Sequence, residues 1–450
     1  MKLSVSDLGS LDEAMARAEY PDYVYTYPPR QAYRRLTRCV QETRSIVRTS
    51  LADRPDVNLY IHIPFCRQVC RFCNLYTTTG QGDDSVRDQY INRVLVEAAS
   101  YVEEGLLPQE CRWRTLYLGG GTPSVLSIAQ LDRLVSGVRR CFSITAVEET
   151  AIEVAPETAS PQYLRGLRAA GFDRVSMGFQ STLTDEVRSI GRSYPISRQA
   201  EIAAVAIDAG FRNLCLDLIF GLPGQDTASW RRSVREVIDM RPHTICCYQW
   251  TSRPHTGFHR MGLTKPGGRW LRELYELACA ELAAAGYEQE THVRWVTEGG
   301  GYLQKQYHWG LQTLIGLGAG ARSYLWHTDL RNGYSLLNRR QALNSYLSSA
   351  GPGWEGPLEG YEMSADERRR KAMVLGLHEL RREWYFEEFG EDALVSFPKQ
   401  IHGLAERRLV DVTADVIRLT ERGRSHRDAI VQLFFSDLVR SRVQSWTYDE

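Results

Sequence analysis

The chain has 450 residues, a length that suits a large α/β domain with one or two smaller appendages. Lys+Arg and Asp+Glu both number 55, so the zero formal charge argues against nucleic acid or an anionic membrane and favours a small-molecule partner. No run of eighteen apolar residues occurs and the first residues contain no apolar leader, which predicts a cytoplasmic protein.

Residues 20–51 form an aromatic and basic segment. Arg30, Arg34 and Arg38 recur every four residues, so a helix that begins at Pro29 would align them in one cationic stripe. Two interpretations remain open at this point. The stripe is either a solvated helix face, or part of an arm that closes over an active site and meets a substrate carboxylate.

An apolar strand, Tyr60-Ile-His-Ile-Pro-Phe, then runs into a loop that contains three cysteines. Cys66, Cys70 and Cys73 are four and three residues apart, a spacing that suits three irons of one [4Fe-4S] cluster. With three local thiols, the fourth iron is left open for a ligand. Three core thiols are one alternative, and a zinc knuckle is another, but residues 74–76 offer no fourth ligand. The seven other cysteines form no second cluster motif.

Glycines mark the end of the next strand. A helical pattern over 84–105 precedes the apolar residues 115–118, which end in Gly119-Gly120-Gly121-Thr122-Pro123. Glycine allows the backbone to approach a ligand at a point where any Cβ would collide with it. A tight turn would explain the same residues.

Strand and helix patterns continue to alternate. Strands are predicted at 150–155, 174–180, 214–220 and 244–250, with helices over 160–170, from 185 and from 228. This repetition predicts an α/β fold built on a partial (β/α)6 TIM-like barrel, in which ligands gather at the carboxyl ends of the strands. Glu153, Gln180 and Asp217 are polar residues in otherwise apolar strands. Each either pairs with a core arginine or lines a cavity that binds a polar cofactor.

The last hundred residues differ in character. A linker is predicted at 351–357, a charged helix at 364–381, a hairpin at 409–420 and a last helix at 428–439. These elements predict a small helical, winged-helix-like domain that acts as a lid or packing domain. The predicted division is an N-terminal arm (1–50), the barrel (51–290), a barrel extension with a cofactor-contacting loop (291–350) and a C-terminal domain (351–450).

The cysteine loop, with Tyr60-x-His62-x-Pro64-Phe65 before it, resembles the radical S-adenosylmethionine (SAM) superfamily, in the branch of oxygen-independent coproporphyrinogen III oxidase. The resemblance implies that the open iron of the [4Fe-4S] cluster chelates SAM and that one electron then releases a 5'-deoxyadenosyl radical. It also implies an electron donor such as flavodoxin or ferredoxin.

The resemblance assigns ligand contacts to individual residues of this chain. It implies that Tyr60, Gly120 and Glu153 contact the cluster-bound SAM, and that Ala321, in the glycine-rich loop 316–323, does so too. It further implies a second SAM beside the first, contacted by Phe72, Gly121, Thr122, Gln180, Arg192, Asp217 and Thr251.

Members of this branch catalyse different reactions. After Cys73 the oxidase usually has Gly-Cys, whereas Asn74-Leu75 here looks more like the class C methyltransferases and cyclopropanases. We therefore predict that a methylene radical from the second SAM alkylates an sp2 carbon of a natural-product precursor, which is anionic or bound to a carrier protein. The alternatives are porphyrinogen decarboxylation, heme-directed methylation and a heme chaperone. Residues 302–309 lack the His-Asn pair of the chaperone's heme motif, which counts against the chaperone.

Overall fold

The structure is a computed structural model that describes residues 5–79, 83–349, 351–354 and 359–447. The predicted linker at 351–357 therefore lies partly outside the described residues. The chain begins with two helices and a short strand, α1 (Leu8–Ala16), β1 (Arg34–Arg35) and α2 (Val40–Asp53).

Six strands that lie side by side and parallel form the centre of the fold, in sequence order from β2 to β7. The strands are buried on both faces, as strands of a parallel sheet covered by helices are. They are β2 (Asp56–Ile63), β3 (Arg112–Gly120), β4 (Glu149–Val154), β5 (Arg174–Gln180), β6 (Asn213–Phe220) and β7 (Thr244–Gln249).

Helices cover the outside of these strands, and their apolar residues join the strand residues in one large core. Polar caps define where several of them begin. In the fourth helix, for example, Ser127 and Gln130 exchange side chain to backbone hydrogen bonds of 3.0 and 3.2 Å. The helices are α3 (Asp84–Glu103), α4 (Ile128–Cys141), α5 (Pro161–Ala169), α6 (Thr184–Ser189), α7 (Arg198–Asp208), α8 (Thr227–Asp239), α9 (Gly257–Arg260) and α10 (Gly268–Ala284).

The sheet is extended at both edges into thirteen strands, in the order β1-β13-β12-β11-β10-β2-β3-β4-β5-β6-β7-β9-β8. One further strand, β10, is parallel to β2, and the strands beyond it are antiparallel. The added elements are β8 (Glu288–Thr291), β9 (Arg294–Val296), α11 (Leu303–Trp309), β10 (Thr313–Leu317), β11 (Arg322–Tyr324), β12 (Thr328–Arg331), α12 (Arg339–Ser348) and β13 (Glu359–Glu362).

The C-terminal region has its own three-stranded sheet, in the order β14-β16-β15, and a second hydrophobic core that it shares with the N-terminal arm. The predicted hairpin is confirmed as β15 and β16. The elements are α13 (Ala365–Gly376), β14 (Leu380–Arg381), α14 (Arg382–Phe389), α15 (Ala393–Ser396), α16 (Pro398–Glu406), β15 (Val410–Val412), β16 (Val416–Leu419), α17 (Glu421–Ser425), α18 (Arg427–Ile430) and α19 (Asp437–Ser445).

Two helix predictions in this region were wrong in extent. The helix expected over 364–381 ends at Gly376, because residues 380–381 pair with β16. The helix expected over 428–439 is interrupted by a 3-10 turn at Val431–Phe434, so α18 and α19 are separate. The α/β fold itself, with its partial parallel barrel and C-terminal helical region, is confirmed.

The N-terminal arm crosses the carboxyl ends of the barrel strands. Asp22 forms 3.0 Å ion pairs with Arg253 and with Lys265 on the barrel side. On the other side, the Val24 amide donates to Asp428 of α18 at 3.0 Å. The arm is therefore held between the barrel and the C-terminal region.

The predicted arginine stripe of the arm was wrong. Only Arg30–Ala32 form a helical turn, of the 3-10 type, and the chain then becomes strand β1, which pairs with β13. Because an extended strand does not keep the helical repeat, the three arginines diverge. Arg30 faces a cavity at the barrel mouth, Arg34 donates to a carbonyl of α19 at 2.7 Å, and Arg38 pairs with Glu362 at 3.4 Å.

No helix among the described residues is both long and apolar enough to cross a bilayer.

Candidate functional site

The cysteine loop is fixed by backbone hydrogen bonds at both of its ends. The Cys66 amide donates to Thr78 at 3.0 Å, and the Cys73 amide donates to Cys70, also at 3.0 Å. The Arg71 amide donates to Ile190 at the end of α6 at 2.9 Å. The loop is therefore held at the carboxyl end of β2, where the sequence places it.

The three thiols are half-buried, and neighbouring side chains donate to two of them. Burial raises the pKa of Cys66 to about 11 and that of Cys73 to about 12, so both are neutral thiols until iron replaces the proton. Thr122 donates to the Cys66 sulfur at 3.3 Å, and Arg192 Nε donates to the Cys70 sulfur at 3.2 Å.

The glycines after β3 allow this loop and the strand ends to touch. Gly120 has φ +115°, and a Cβ there would lie 2.5 Å from the His62 ring. A Cβ on Gly121 would lie 2.8 Å from the carbonyl oxygen of Phe65. Both positions exclude a larger residue for steric reasons, which explains the glycine run that the sequence showed.

We expect Gly120→Ala to eliminate SAM binding and to lower the free energy of unfolding by about 2–4 kcal/mol, the sum of backbone strain and overpacking. Gly171→Ala is the matched control, because Gly171 also has a positive φ, +88°, but nothing lies within 4 Å of the added Cβ. Denaturant unfolding and calorimetric SAM titration measure both effects. Equal losses of stability in the two variants would refute the proposed collision with His62.

Tyr60 is oriented by a short hydrogen-bond chain. Burial lowers the pKa of His62 to about 4, so its ring is neutral. His62 Nε2 lies 2.9 Å from the carbonyl oxygen of Tyr76, which can only accept, so Nε2 carries the proton. Nδ1 must therefore accept from the Tyr60 hydroxyl at 2.9 Å. The Tyr60 oxygen then presents its lone pairs to a donor in the cavity.

Glu153 lies opposite, with one hydrogen bond to each oxygen. Tyr117 donates its hydroxyl to Oε1 and Gly120 donates its amide to Oε2, each at 3.0 Å. These bonds favour the carboxylate, but burial outweighs them and raises the pKa of Glu153 to about 7. A cationic ligand such as SAM would therefore favour the charged form of Glu153.

The raised pKa of Glu153 predicts that the affinity for SAM depends on pH. Because Glu153 is mostly protonated below its pKa of about 7 and ionised above it, we expect the dissociation constant to fall as pH rises from 6 to 8. Glu153→Gln should bind about tenfold more weakly at pH 8 and show a flat profile over this range. Calorimetric titrations at several pH values measure both. A wild-type profile that is flat or inverted would contradict the assignment.

Gln180 and Arg192 lie together at the edge of the cysteine loop. Gln180 has φ +68°, and its side chain folds back so that a Cβ on Gly178 would lie 2.4 Å from Nε2. Arg192 donates to the Gly178 carbonyl, and its Nε lies 3.6 Å from Glu157. The guanidinium that contacts Cys70 is thus fixed by its neighbours.

Asp217 lies deeper in the barrel, beside two thiols. Cys215 donates to Oδ1 and Ser176 donates to Oδ2, each at 3.4 Å, and burial raises the pKa of Asp217. The sulfur atoms of Cys215 and Cys246 are 3.8 Å apart. This grouping could not be predicted from the sequence, because the two cysteines belong to different strands.

Phe72 and Thr251 lie beside one small apolar cluster. Phe72 packs on this cluster, and Thr251 is half-buried directly after its Trp250. That cluster consists of Ile190, Ile219, Leu222, Trp250 and Phe258.

Ala321 lies in the loop between β10 and β11. It is buried, and its carbonyl accepts from Asn332 at 2.9 Å. A Cβ on Gly318 in this loop would lie 2.7 Å from the carbonyl oxygen of His62, so the loop packs directly on β2.

A cavity of about 410 Å³ opens beside the cysteine loop, under the N-terminal arm. Tyr60, Gly120 and Glu153 line it, whereas Gln180 and Arg192 do not, as far as the described residues define the lining. Glu153 is its one carboxylate among those residues, against six basic side chains. These are Arg30, Arg253, Arg294, Lys305, Arg322 and Arg331.

Three of these basic residues have no acidic partner in the described part of the chain. Arg253 pairs with Asp22 at 3.0 Å, and Arg294 pairs with Glu290 at 2.6 Å. For Lys305, Arg322 and Arg331, no carboxylate of the described chain lies within ion-pair distance. Except for Arg30, none of the cavity cations was identified from the sequence, since their role depends on which elements meet at the barrel mouth.

Comparison with known proteins agrees with this geometry. The family model of the radical SAM superfamily matches residues 60–237. The chain is 30% identical over 277 residues to the heme chaperone HemW of Escherichia coli, covering 62% of this chain and 72% of that protein. The chain belongs to the radical SAM superfamily. Within that superfamily it belongs to the branch of HemW and the oxygen-independent coproporphyrinogen III oxidases.

Two further radical SAM relatives extend the similarity. The coproporphyrinogen III oxidase of Paracoccus denitrificans is 28% identical over 401 residues, covering 84% of this chain and 86% of that protein. The solved structure of coproporphyrinogen III oxidase (HemN) from Escherichia coli has a TM-score of 0.75 and 23% identity, covering 96% of this chain and 99% of that one. At this identity the structural match shows the fold.

Membership in the radical SAM superfamily identifies the cofactors as a [4Fe-4S] cluster and SAM, and the residues present fit both. Three thiols with hydrogen-bond donors at Cys66 and Cys70 suit the cluster. A glycine-lined carboxylate at Glu153 suits the cationic SAM.

Proposed function

We propose that this radical SAM enzyme oxidises a small molecule that carries several carboxylates, of the coproporphyrinogen class, and removes a carboxyl group as carbon dioxide. The cavity supports this proposal more than any other feature, because five arginines, one lysine and one carboxylate line it among the described residues. Three of these basic residues, Lys305, Arg322 and Arg331, have no carboxylate of the described chain within ion-pair distance, which favours an anionic ligand in a partly desolvated cavity. The oxidase among the relatives, which aligns over 84% of this chain, supports it further.

When bound, the cluster and SAM would supply a 5'-deoxyadenosyl radical. The chain's own residues would hold the reactants: Cys66, Cys70 and Cys73 would bind the cluster, while Tyr60, Gly120, Glu153 and Ala321 would contact the first SAM. We further propose a second SAM beside the first, at residues of the cysteine loop and of the neighbouring barrel strands and the segments that follow them. Its contacts would be Phe72, Gly121, Thr122, Gln180, Arg192, Asp217 and Thr251.

The electron that cleaves SAM would come from a small carrier such as flavodoxin or ferredoxin, and the second electron that the substrate loses with carbon dioxide would pass to a one-electron acceptor of the same class. Arg67 and Arg71 in the cysteine loop are exposed, which suits an acidic donor.

Carbon transfer from the second SAM, as a class C methyltransferase or cyclopropanase performs it, is the second candidate. One observation favours it: Asn74 and Leu75, which stand where the oxidase usually has Gly-Cys, line the cavity. They would therefore touch the substrate. The named relatives are heme chaperones and oxidases, so decarboxylation has more support than the carbon transfer that the sequence alone favoured.

Heme binding has little support from the site. Gln304, which falls within the stretch that corresponds to the chaperone's heme motif, donates to the Leu59 carbonyl at 2.9 Å and to Thr115 at 3.2 Å. Its side-chain amide is thus engaged by two barrel strands, although Gln304 also lines the cavity.

One experiment separates the candidates. Reconstituted, reduced enzyme is incubated with methyl-deuterated SAM and either coproporphyrinogen III or a panel of unsaturated acids without porphyrinogen rings. Decarboxylation predicts carbon dioxide from coproporphyrinogen III and 5'-deoxyadenosine without deuterium. Deuterium in 5'-deoxyadenosine, together with a labelled carbon in the product, would reject decarboxylation and support carbon transfer.

A further inference from the structure

Lysine is rare in this chain, and one lysine lies in the cavity. The sequence has five lysines against fifty arginines. Two of them form ion pairs within the protein, Lys265 with Asp22 at 3.0 Å and Lys371 with Asp329 at 2.9 Å. Lys399 is exposed, and Lys2 lies outside the described residues. Lys305, on α11, is the lysine that lines the cavity.

The surroundings of Lys305 lack negative charge. Its Nζ donates to the main-chain carbonyl oxygen of Tyr25 in the arm at 2.6 Å. Within the part of the chain that the structure describes, no carboxylate is within ion-pair distance of it. The titratable and charged groups that face it are His308 on its own helix, Tyr25 on the arm, Arg294 on β9, Arg322 and Tyr324 on β11, Lys371 on α13, and Arg427 on α18.

These surroundings disfavour an ammonium ion. Burial first, and then repulsion by Arg294, Arg427, Lys371 and Arg322, lower the pKa of Lys305 to about 7. The neighbouring arginines keep their protons at any ordinary pH, whereas a lysine can release its own. Among the cations that line the cavity, Lys305 is therefore the one whose charge depends on what the cavity contains.

We propose that Lys305 is a neutral amine in the empty cavity and takes up a proton from solvent when a carboxylate of the substrate binds beside it. This proposal depends on the proposed function only because it requires an anionic substrate. The incoming carboxylate offsets the arginine charges and accepts a hydrogen bond from the new ammonium. Lys305 would thereby favour substrates with a carboxylate at this position over neutral analogues, and substrate affinity would fall as pH rises above 7.

The small number of lysines makes the amine state measurable. Reductive methylation with ¹³C-formaldehyde labels each lysine, and the methyl signals are followed by NMR as a function of pH. Lys305→Arg assigns the signal, and Lys399→Arg is the control that removes an exposed lysine instead. We expect the Lys305 signal of the empty enzyme to titrate near pH 7 and to shift upward by at least two pH units with coproporphyrin III bound. Titration of the empty-state signal above pH 10 would overturn the proposal.

Calorimetry tests the proton uptake without chemical labelling. Coproporphyrin III, a stable tetracarboxylate, is titrated into the holoenzyme at pH 8 in phosphate and in Tris, whose ionisation enthalpies differ. We expect uptake of up to one proton per molecule bound, its loss in Lys305→Arg, and its retention in Lys399→Arg. Binding without proton uptake would refute the role of Lys305 and leave the proposed function intact. Absence of binding would count against the proposed function itself.

Discussion

We expect Cys70→Ala to abolish both cluster assembly and turnover. Cys70 would bind one of the irons, and its sulfur also accepts a hydrogen bond from Arg192 at 3.2 Å, so alanine removes a ligand and leaves the guanidinium without this partner. The wild-type chain should contain about four irons after anaerobic reconstitution, the number in one such cluster. Iron analysis and the charge-transfer absorbance of the cluster measure the loss.

Cys39→Ser provides the matched control, because Cys39 is an exposed cysteine outside the loop. It should keep the iron content, the absorbance and the activity of the wild type. Two results would contradict the assignment: a Cys70→Ala protein that retains the absorbance, or a wild-type protein with close to eight irons.

The cluster loop was predictable because its information is local. Cys66, Cys70 and Cys73 lie within eight residues and directly follow a strand, so no tertiary contact is needed to bring them together. The parallel barrel was predictable for a related reason, since each β/α unit carries its own apolar pattern. Glu153 stood out as a polar residue in such a pattern, and it does line the cavity.

Features that depend on distant parts of the chain were not predictable. Lys305, Arg322 and Arg331 come from α11, β11 and β12, and each would read as an ordinary surface cation in the sequence. Their importance arises because the sheet extension brings them to one cavity and because no described carboxylate pairs with them there. The prediction of an arginine stripe was wrong for a similar reason. Pairing of β1 with β13, a segment more than 300 residues away, overrides the helical periodicity around Arg34.

The substrate pocket makes a second strong prediction. We expect Arg322→Gln to raise the dissociation constant of coproporphyrin III about 30-fold or more, since removing one partner of a buried charge pair costs about 2–5 kcal/mol. Arg322 is suited to this contact because its guanidinium is buried in the cavity and donates to the Tyr25 hydroxyl, but has no carboxylate partner in the described chain. Equilibrium binding measured by quenching of the porphyrin fluorescence gives the constant directly.

The free energy of unfolding of the variants distinguishes a binding role of Arg322 from a structural one. If Arg322 were a structural residue, its loss would lower the free energy of unfolding, as happens when a buried carboxylate is left without its partner. Since no carboxylate of the described chain pairs with Arg322, and Arg331 lines the same cavity, removing one positive charge should instead leave stability unchanged or raise it. Arg322→Lys should recover part of the affinity, because it restores the charge without the planar donor pair.

Arg188→Gln, at an exposed arginine on α6 that pairs loosely with Asp185 at 3.9 Å, is the control and should bind as the wild type does. Destabilisation of Arg322→Gln with unchanged affinity would place this arginine in the scaffold and remove it from the binding site.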